Sequence, residues 1–122
     1  MELFKVVVAG GRTFSDYELL RTTLDSLLRA KRTTHHVVII SGAARGADKL
    51  GERYSDETEG VTTMQFFADW DNKGRSAGYL RNAQMASTAD AVVVFWDGKS
   101  KGSNHMIQLA KSKGLPLRVI KY

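Results

Sequence analysis

The sequence predicts an α/β fold: a Rossmann-like, three-layer sandwich around a five-stranded parallel sheet. Five short apolar runs rich in Val, Ile or Phe recur along the chain, at Leu3–Ala9, Val37–Ile40, Val61–Phe67, Ala91–Trp96 and Leu115–Ile120. They lack polar/apolar alternation, which is typical of parallel strands covered on both faces. Segments with helical spacing separate the runs. Strict alternation of strands and helices favours a parallel sheet with right-handed crossovers.

The first strand, Leu3–Ala9, is followed by the clearest helical segment, Ser15–Lys31. Its apolar positions form one stripe at helical spacing, made of Leu20, Leu24, Leu27 and Leu28. Ser15 and Glu18 fit the spacing of a capping box. We therefore expect this helix to begin at Ser15 and to pack its leucine stripe on the sheet.

Three further helices are predicted between the remaining strands, at Arg45–Glu59, Arg75–Thr88 and Ser103–Lys113. Gly60 follows the first of them as a stop signal. The strand order is left as either 3-2-1-4-5 or 2-1-3-4-5. In both, the ligand crevice lies beyond the carboxyl ends of the strands, at the point where the order reverses.

Composition bounds the class of protein. The 122 residues suffice for one core, so a single domain spanning 1–122 is predicted. The sequence has no cysteine and no apolar run of the roughly 20 residues that a membrane span needs, so we expect a cytoplasmic protein without membrane partners. The net charge of +5 favours anionic partners. Its basic residues are scattered, often beside acids, which makes a dedicated nucleic-acid face the weaker interpretation.

Glycines gather after three of the predicted strands, in pairs formed by Gly10 and Gly11, Gly42 and Gly46, and Gly98 and Gly102. Glycine lets backbone N–H groups approach an anion, and the N-terminus of the next helix attracts one. A single such loop indicates only a tight turn. Three loops at one sheet edge predict phosphate binding.

The loop SGAARGAD, residues 41–48, adds a hydroxyl at Ser41 and a guanidinium at Arg45 to its glycines. It matches neither G-x-G-x-x-G nor a Walker A loop, so a dinucleotide dehydrogenase or P-loop NTPase is poorly supported. A second loop, WDGKSKGSNH at 96–105, places Lys99, Ser100 and Lys101 around two glycines and Ser103 at a helix start. Its alternative interpretation is an exposed basic turn.

Five further residues are candidate ligand contacts. Arg81 and Asn82 either face the crevice from the third helix or lie on a solvated surface. Trp70 either stacks on a base or caps the core. Asp69 and Asp97 either hold ribose hydroxyls or form ordinary turns. We predict no metal, no cofactor and no catalytic residue.

Taken together, five motifs resemble the YspA, cpYpsA-related branch of the SLOG superfamily, which is named after its DprA/Smf and LOG members. They are GGRTFSD at 10–16, SGAARGAD at 41–48, ADW at 68–70, GRSAGYLRN with Met85 at 74–85, and FWDGKSKGSNHMI at 95–107. The resemblance implies binding of nucleotides, nucleotide sugars or ADP-ribose-like signalling molecules. It also implies a ligand-facing Arg81 and phosphate contacts from Gly11, Arg12, Ser41, Gly42, Arg45, Gly46, Gly102 and Ser103.

Two departures bear on mechanism. LOG-type phosphoribohydrolases pair an arginine with a glutamate in PGGxGTxxE, and Met106 stands at the glutamate position here. A thioether is no general acid or base, so another carboxylate such as Asp97 would have to substitute. Ala43 stands where the related sequences are expected to have glycine.

We therefore predict a non-catalytic binder of a nucleotide-derived phosphate ligand, acting as a sensor or a sequestering protein. The first alternative is a nucleotide-processing enzyme, an N-glycosidase or a phosphohydrolase. The second is a DprA-like module for single-stranded nucleic acid. Besides the ligand, a second copy of the chain is a candidate partner, because a small binding protein can complete its pocket across the symmetric interface of a homo-oligomer.

Overall fold

The computed structural model describes residues 1–122 and contains a parallel five-stranded sheet between layers of helices. The strands are β1 Glu2–Gly10, β2 His35–Ser41, β3 Val61–Gln65, β4 Ala91–Trp96 and β5 Leu117–Lys121. The helices are α1 Tyr17–Leu28, α2 Ala47–Asp56, α3 Trp70–Lys73, α4 Ser76–Thr88 and α5 Lys101–Ser112, with a 3₁₀ turn at Lys31–Thr33. The predicted α/β, Rossmann-like fold is confirmed.

The strand order is β3-β2-β1-β4-β5, the first of the two orders that the sequence left open. Every neighbouring pair is parallel; Val6 of β1 pairs with Ile39 of β2, and Val7 pairs with Val92 of β4. The order reverses between β1 and β4. A crevice is therefore expected beyond their carboxyl ends, at Gly10 and Trp96.

The continuous apolar strands divide their side chains between two cores. On one face, Val6 and Val8 of β1 pack with the α1 leucines Leu20, Leu24 and Leu28. On the other face, the alternate β1 residues pack with α4 and α5 in a group that includes Val7, Ala9, Met85, Met106 and Ala110. Each fully buried leucine contributes on the order of 1.5–3 kcal/mol, so both faces hold the sheet in place.

The start of α1 differs from the prediction. Asp16, not Ser15, is the N-cap: its Oδ1 accepts a hydrogen bond from the Leu19 backbone N–H at 3.0 Å. Ser15 lies one position too early, and its carbonyl accepts from Tyr17 N instead. The predicted capping box is therefore wrong, and Glu18 pairs with the neighbouring Arg21.

The segment after β3 also differs. The strand ends at Gln65, two residues before the predicted end, and Phe67 is 70% exposed. A short helix that was not predicted, α3, follows with Asp69 as its N-cap. Trp70 is therefore the first residue of this helix.

Two other helix ends are shifted. The helix α2 ends at Asp56, where the Glu57 N–H bonds to the Arg53 carbonyl, so Gly60 lies in the turn before β3 and not at the helix stop. The helix α5 begins at Lys101 because Ser100 is its N-cap. None of the helices has both the length and the apolar content that a membrane span requires.

Candidate functional site

A cleft of about 470 Å³ opens beyond the carboxyl ends of β1 and β4, at the point where the strand order reverses. We call it the first cleft. Its walls come from the loop after β1, the helix α4 and the segment that leads into α5. The predicted ligand residues that line it are Gly10, Gly11, Arg12, Trp70, Arg81, Asn82, Asp97, Ser100, Gly102 and Ser103.

A second cleft of about 350 Å³ adjoins the first. The loop after β2 and the segment before α3 form it, and they contribute Gly42, Ala43, Arg45 and Phe67. Four residues line both clefts: Arg12, Ala44, Trp70 and Arg81. The two clefts are therefore neighbours across one shared wall.

Glycine is required where the first two loops meet. Gly46 has a φ of 81°, and a Cβ there would collide with the backbone of Gly11 and Arg12. The close approach lets the Ala47 N–H donate to the Gly11 carbonyl at 3.3 Å. The loops after β1 and β2 are thus in direct backbone contact, and the N-terminus of α2 is fixed beside the clefts.

Arg81 joins α4 to the loop after β2. Its Nη1 donates to the Gly42 carbonyl at 2.7 Å, and its Nε donates to Asn82 Oδ1 at 3.0 Å. Burial lowers the pKa of Arg81, and the nearby Asp48 carboxylate partly offsets this effect. The guanidinium keeps Nη2 free of protein hydrogen bonds, so it can hold the loop and still donate to a ligand.

Asn82 extends this connection to the start of α5. Its Nδ2 donates to the Gly102 carbonyl at 3.4 Å and lies 3.3 Å from His105 Nδ1. The Asn82 side chain is buried. The helices α4 and α5 are therefore joined by polar contacts at the wall of the first cleft.

Ser103 carries an unsatisfied hydroxyl in the wall of the first cleft. The residue is 4% exposed, and its Oγ has no hydrogen-bond partner. It lies in the first turn of α5, where its backbone N–H is bonded to Ser100 Oγ at 3.3 Å. An unpaired buried hydroxyl costs about 1–3 kcal/mol. An oxygen of a bound anion would satisfy this group at the positive end of the helix.

Sequence reasoning missed Asp48, a buried carboxyl in the wall of the first cleft. Its Oδ2 accepts from the Ala44 N–H at 3.3 Å. Burial raises the pKa of Asp48 to about 6, against the opposing effects of the Ala44 and Gly42 N–H groups and of Arg81. An Asp in the first turn of a helix is already explained by its favourable interaction with the helix dipole. Nothing local in the sequence therefore marked Asp48 as a residue of the cleft.

Four predicted ligand residues line neither cleft. Ser41 is fully buried, and its hydroxyl donates to Glu52 at 2.6 Å. Asp69 caps α3, and Gly98 lies in a turn with a φ of 85°. Gly46 packs against the loop after β1. These four residues make contacts within the protein itself. For all of the predicted ligand residues, contact with a ligand stays a prediction.

Comparison with known proteins identifies the family. Residues 4–72 match the model of the YAcAr family, described as the YspA, cpYpsA-related SLOG family. This chain belongs to that SLOG family. A relative from Mycobacterium phage D29, the Gene 61 protein, is 33% identical in an alignment 120 residues long, and the match covers 93% of this chain and 93% of that protein.

Two solved structures share the SLOG fold. DNA processing protein A from Helicobacter pylori, which binds single-stranded DNA, superposes with a TM-score of 0.66 at 22% identity. The match covers 95% of this chain and 64% of that one. TM1055, a structural genomics target, superposes with a TM-score of 0.64 at 22% identity. This match covers 96% of this chain and 72% of that one. At this identity the likeness concerns the fold alone.

The structure locates both departures expected within the SLOG family. Met106 is 1% exposed and lies in the wall of the first cleft with Met85. Ala43 has a φ of 61°, in the left-handed region that favours glycine. Asp97, the candidate substitute carboxylate, accepts from the Ser100 and Lys99 backbone N–H groups, which lower its pKa. A carboxylate held ionised in this way is a poor proton donor.

Proposed function

We propose that the first cleft binds the phosphate of a nucleotide-derived ligand: a nucleotide, a nucleotide sugar or an ADP-ribose-like signalling molecule. The observation that carries this proposal is the unpartnered Ser103 hydroxyl, buried at the N-terminus of α5 in the cleft wall. A phosphate oxygen satisfies both the hydroxyl and the free N–H groups of a helix N-terminus. A water molecule can also bond the Ser103 hydroxyl, but it carries no net negative charge to interact with the positive end of the helix.

The charges and rings around the cleft suit a nucleotide. Arg12, Arg75 and Arg81 all line it, and guanidinium groups bind phosphate with charge-assisted hydrogen bonds. Trp70 and Tyr79 also line it, and they are 50% and 47% exposed. Half-exposed aromatic rings beside an anion site offer a surface on which a base can stack.

Ligand binding without turnover is the form of this proposal that the side chains favour. The residue at the expected glutamate position, Met106, has no proton to donate or accept. Backbone hydrogen bonds lower the pKa of Asp97, so this carboxylate is a poor proton donor and could act only as a base. We infer that the protein senses or sequesters its ligand.

Thermal unfolding in the presence of a panel of nucleotides, nucleotide sugars and ADP-ribose tests the proposal. A ligand at about a hundredfold its Kd adds roughly 2.7 kcal/mol to the free energy of unfolding. We expect Ser103→Ala to weaken this ligand by about tenfold or more, because a hydrogen bond to a charged group is worth about 1.5–3 kcal/mol. Ser112→Ala, on the exposed end of the same helix, is the matched control.

Two results would contradict the proposal. One is the lack of any shift with the whole panel, in protein shown by mass spectrometry to carry no ligand from the cell. The other is an affinity that Ser103→Ala leaves unchanged while the fold is intact.

An enzyme acting on nucleotides is the second candidate, and Asp48 favours it. This carboxyl lines the same cleft, and burial raises its pKa to about 6, a value suited to proton transfer near neutral pH. We expect no free base above background when the protein is incubated with adenosine monophosphate. Clear base release that Asp48→Asn abolishes would establish the enzyme instead.

Binding of single-stranded nucleic acid is the third candidate, because the SLOG-fold neighbour from Helicobacter pylori binds single-stranded DNA. The exposed Arg45 and Phe67 of the second cleft are chemically suited to a strand. Each neutralised phosphate steepens the fall of log K with log salt concentration by about 0.7 for a single strand. A steep slope with an oligonucleotide, and no binding of mononucleotides, would favour this candidate.

A further inference from the structure

We propose that the two clefts form one site for a ligand with two nucleobases joined through phosphate, one base lying in each cleft. This inference rests on the proposed function, because the first cleft supplies the phosphate site of one nucleotide unit. It adds the class of ligand: a 5′-phosphorylated dinucleotide unit. A mononucleotide, which has one base and no group beyond its phosphate, leaves the second cleft empty.

The shared wall suits the linking phosphate. Of the four residues that line both clefts, two are the cations Arg12 and Arg81. Arg12 is exposed, and Arg81 keeps Nη2 free while its other nitrogens hold Gly42 and Asn82. A negative group placed on this wall therefore meets two guanidinium groups, one from the loop after β1 and one from α4.

Each cleft has its own exposed aromatic ring. Tyr79 lines only the first cleft and is 47% exposed, whereas Phe67 lines only the second and is 70% exposed. Trp70 lies in the shared wall, 50% exposed. Stacking on an aromatic ring is the general way in which proteins hold an unpaired base. Rings on both sides of a cationic wall follow the base–phosphate–base order of a dinucleotide.

The Trp70 ring lies against α4. A Cβ at Gly78 would lie 3.1 Å from the edge of this ring, so glycine lets the indole lie against the helix. The two clefts, of about 470 and 350 Å³, each fall in the size range of small-molecule pockets, about 300–1,000 Å³. The second cleft is thus large enough to hold a ligand group of its own.

The second cleft also has a cation that the first lacks. Arg45 is exposed and lines only the second cleft. A guanidinium beside an aromatic ring can stack on a base or bind the next phosphate. We therefore expect Arg45 and Phe67 to act on the second nucleotide unit, whereas Ser103 acts on the terminal phosphate of the first.

Calorimetry with the intact protein tests the inference, with adenosine monophosphate and the dinucleotide pApA as probes. We expect pApA to bind about tenfold more tightly, since each stacked base contributes on the order of a tenfold gain. Phe67→Ala removes this gain and leaves binding of the monophosphate unchanged. Leu80→Ala is the matched control, because Leu80 is 49% exposed and lines neither cleft.

The failures of the two proposals are distinguishable. If the monophosphate binds, Ser103→Ala weakens it and pApA binds no more tightly, the two-base ligand is overturned and the phosphate site stands. If neither probe binds to ligand-free protein, the two-base ligand is overturned, and the phosphate site fails as well only if the whole panel of nucleotides, nucleotide sugars and ADP-ribose gives no shift. An oligoadenylate with the same 5′ end distinguishes a free dinucleotide from the end of a strand. An affinity equal to that of pApA indicates that the ligand is a free dinucleotide. A much higher affinity that falls steeply with salt concentration indicates the end of a strand.

Discussion

Replacing Asp48 with Asn tests the electrostatics of the first cleft without a ligand. Burial raises the pKa of Asp48 from 3.8 to about 6, although the Ala44 and Gly42 N–H groups and Arg81 all favour the ionised form. The two values differ by about two units, and each unit is worth about 1.36 kcal/mol. Ionised Asp48 therefore lowers the free energy of unfolding by about 3 kcal/mol at neutral pH.

The pH dependence has a definite direction. The stability associated with protonated Asp48 is fully present below pH 3.8, because the carboxyl is then neutral in both the folded and the unfolded states. It falls as the pH rises between 3.8 and about 6, since the unfolded chain ionises first. Above about pH 6 it is lost. An asparagine side chain carries no charge, and its amide oxygen can still accept from the Ala44 N–H.

Urea denaturation of the wild type and of Asp48→Asn, at a series of pH values between about 3 and 8, measures the effect. We expect the free energy of unfolding of the variant to rise relative to that of the wild type by about 3 kcal/mol between acid and neutral pH. Most other carboxylates cancel in this difference. Two parallel stability curves would refute the reasoning, because they would mean that the carboxyl titrates normally in the fold.

Three further changes test the backbone and the helix start. Gly46→Ala is expected to unfold or severely destabilise the protein, because a Cβ there collides with the loop after β1. Gly60→Ala is the control: its φ is similarly positive but the space around it is open, so it costs only the backbone strain of about 1–2 kcal/mol. Equal melting temperatures of the two variants would contradict the loop contact. Asp16→Ala is expected to cost about 1 kcal/mol in urea denaturation and Ser15→Ala much less, because Asp16 is the N-cap; the reverse order would restore the capping box. Ala43→Gly relieves a left-handed alanine and is expected to raise the melting temperature by a few degrees, offset in part by the entropy of glycine; a lower melting temperature would count against strain at this position.

The fold was predictable because its signal is repeated along the chain. Strands such as Val37–Ile40 are buried on both faces, so their composition alone marks them as parallel and central. The order of the strands was harder to predict, since both candidate orders satisfy the same alternation. The choice between Ser15 and Asp16 as the N-cap of α1 was also open, because both residue types favour this position and they are adjacent in the sequence.

The glycines of the candidate site were the most predictable part, because backbone geometry dictates the residue there. Gly10, Gly11 and Gly102 follow strands or open a helix, and they line the first cleft. Asp48 and Ser41 show the limit of such reasoning: both occur in the same loop motif, yet the predicted hydroxyl is bound to Glu52 and the overlooked carboxyl lines the cleft. Which side chain points outward depends on packing against β1 and α2, and this is tertiary information.

The backbone contact between Gly46 and Gly11 makes the two loops a single mechanical unit. Neither loop can widen alone, because a shift of one carries the N-terminus of the next helix with it. Attempts to change which ligand the protein accepts are therefore best directed at α4 and at the start of α5, where side chains such as Tyr79 and Ser100 form the opposite wall. There the cleft can be reshaped one side chain at a time, while the glycine loops keep their shape.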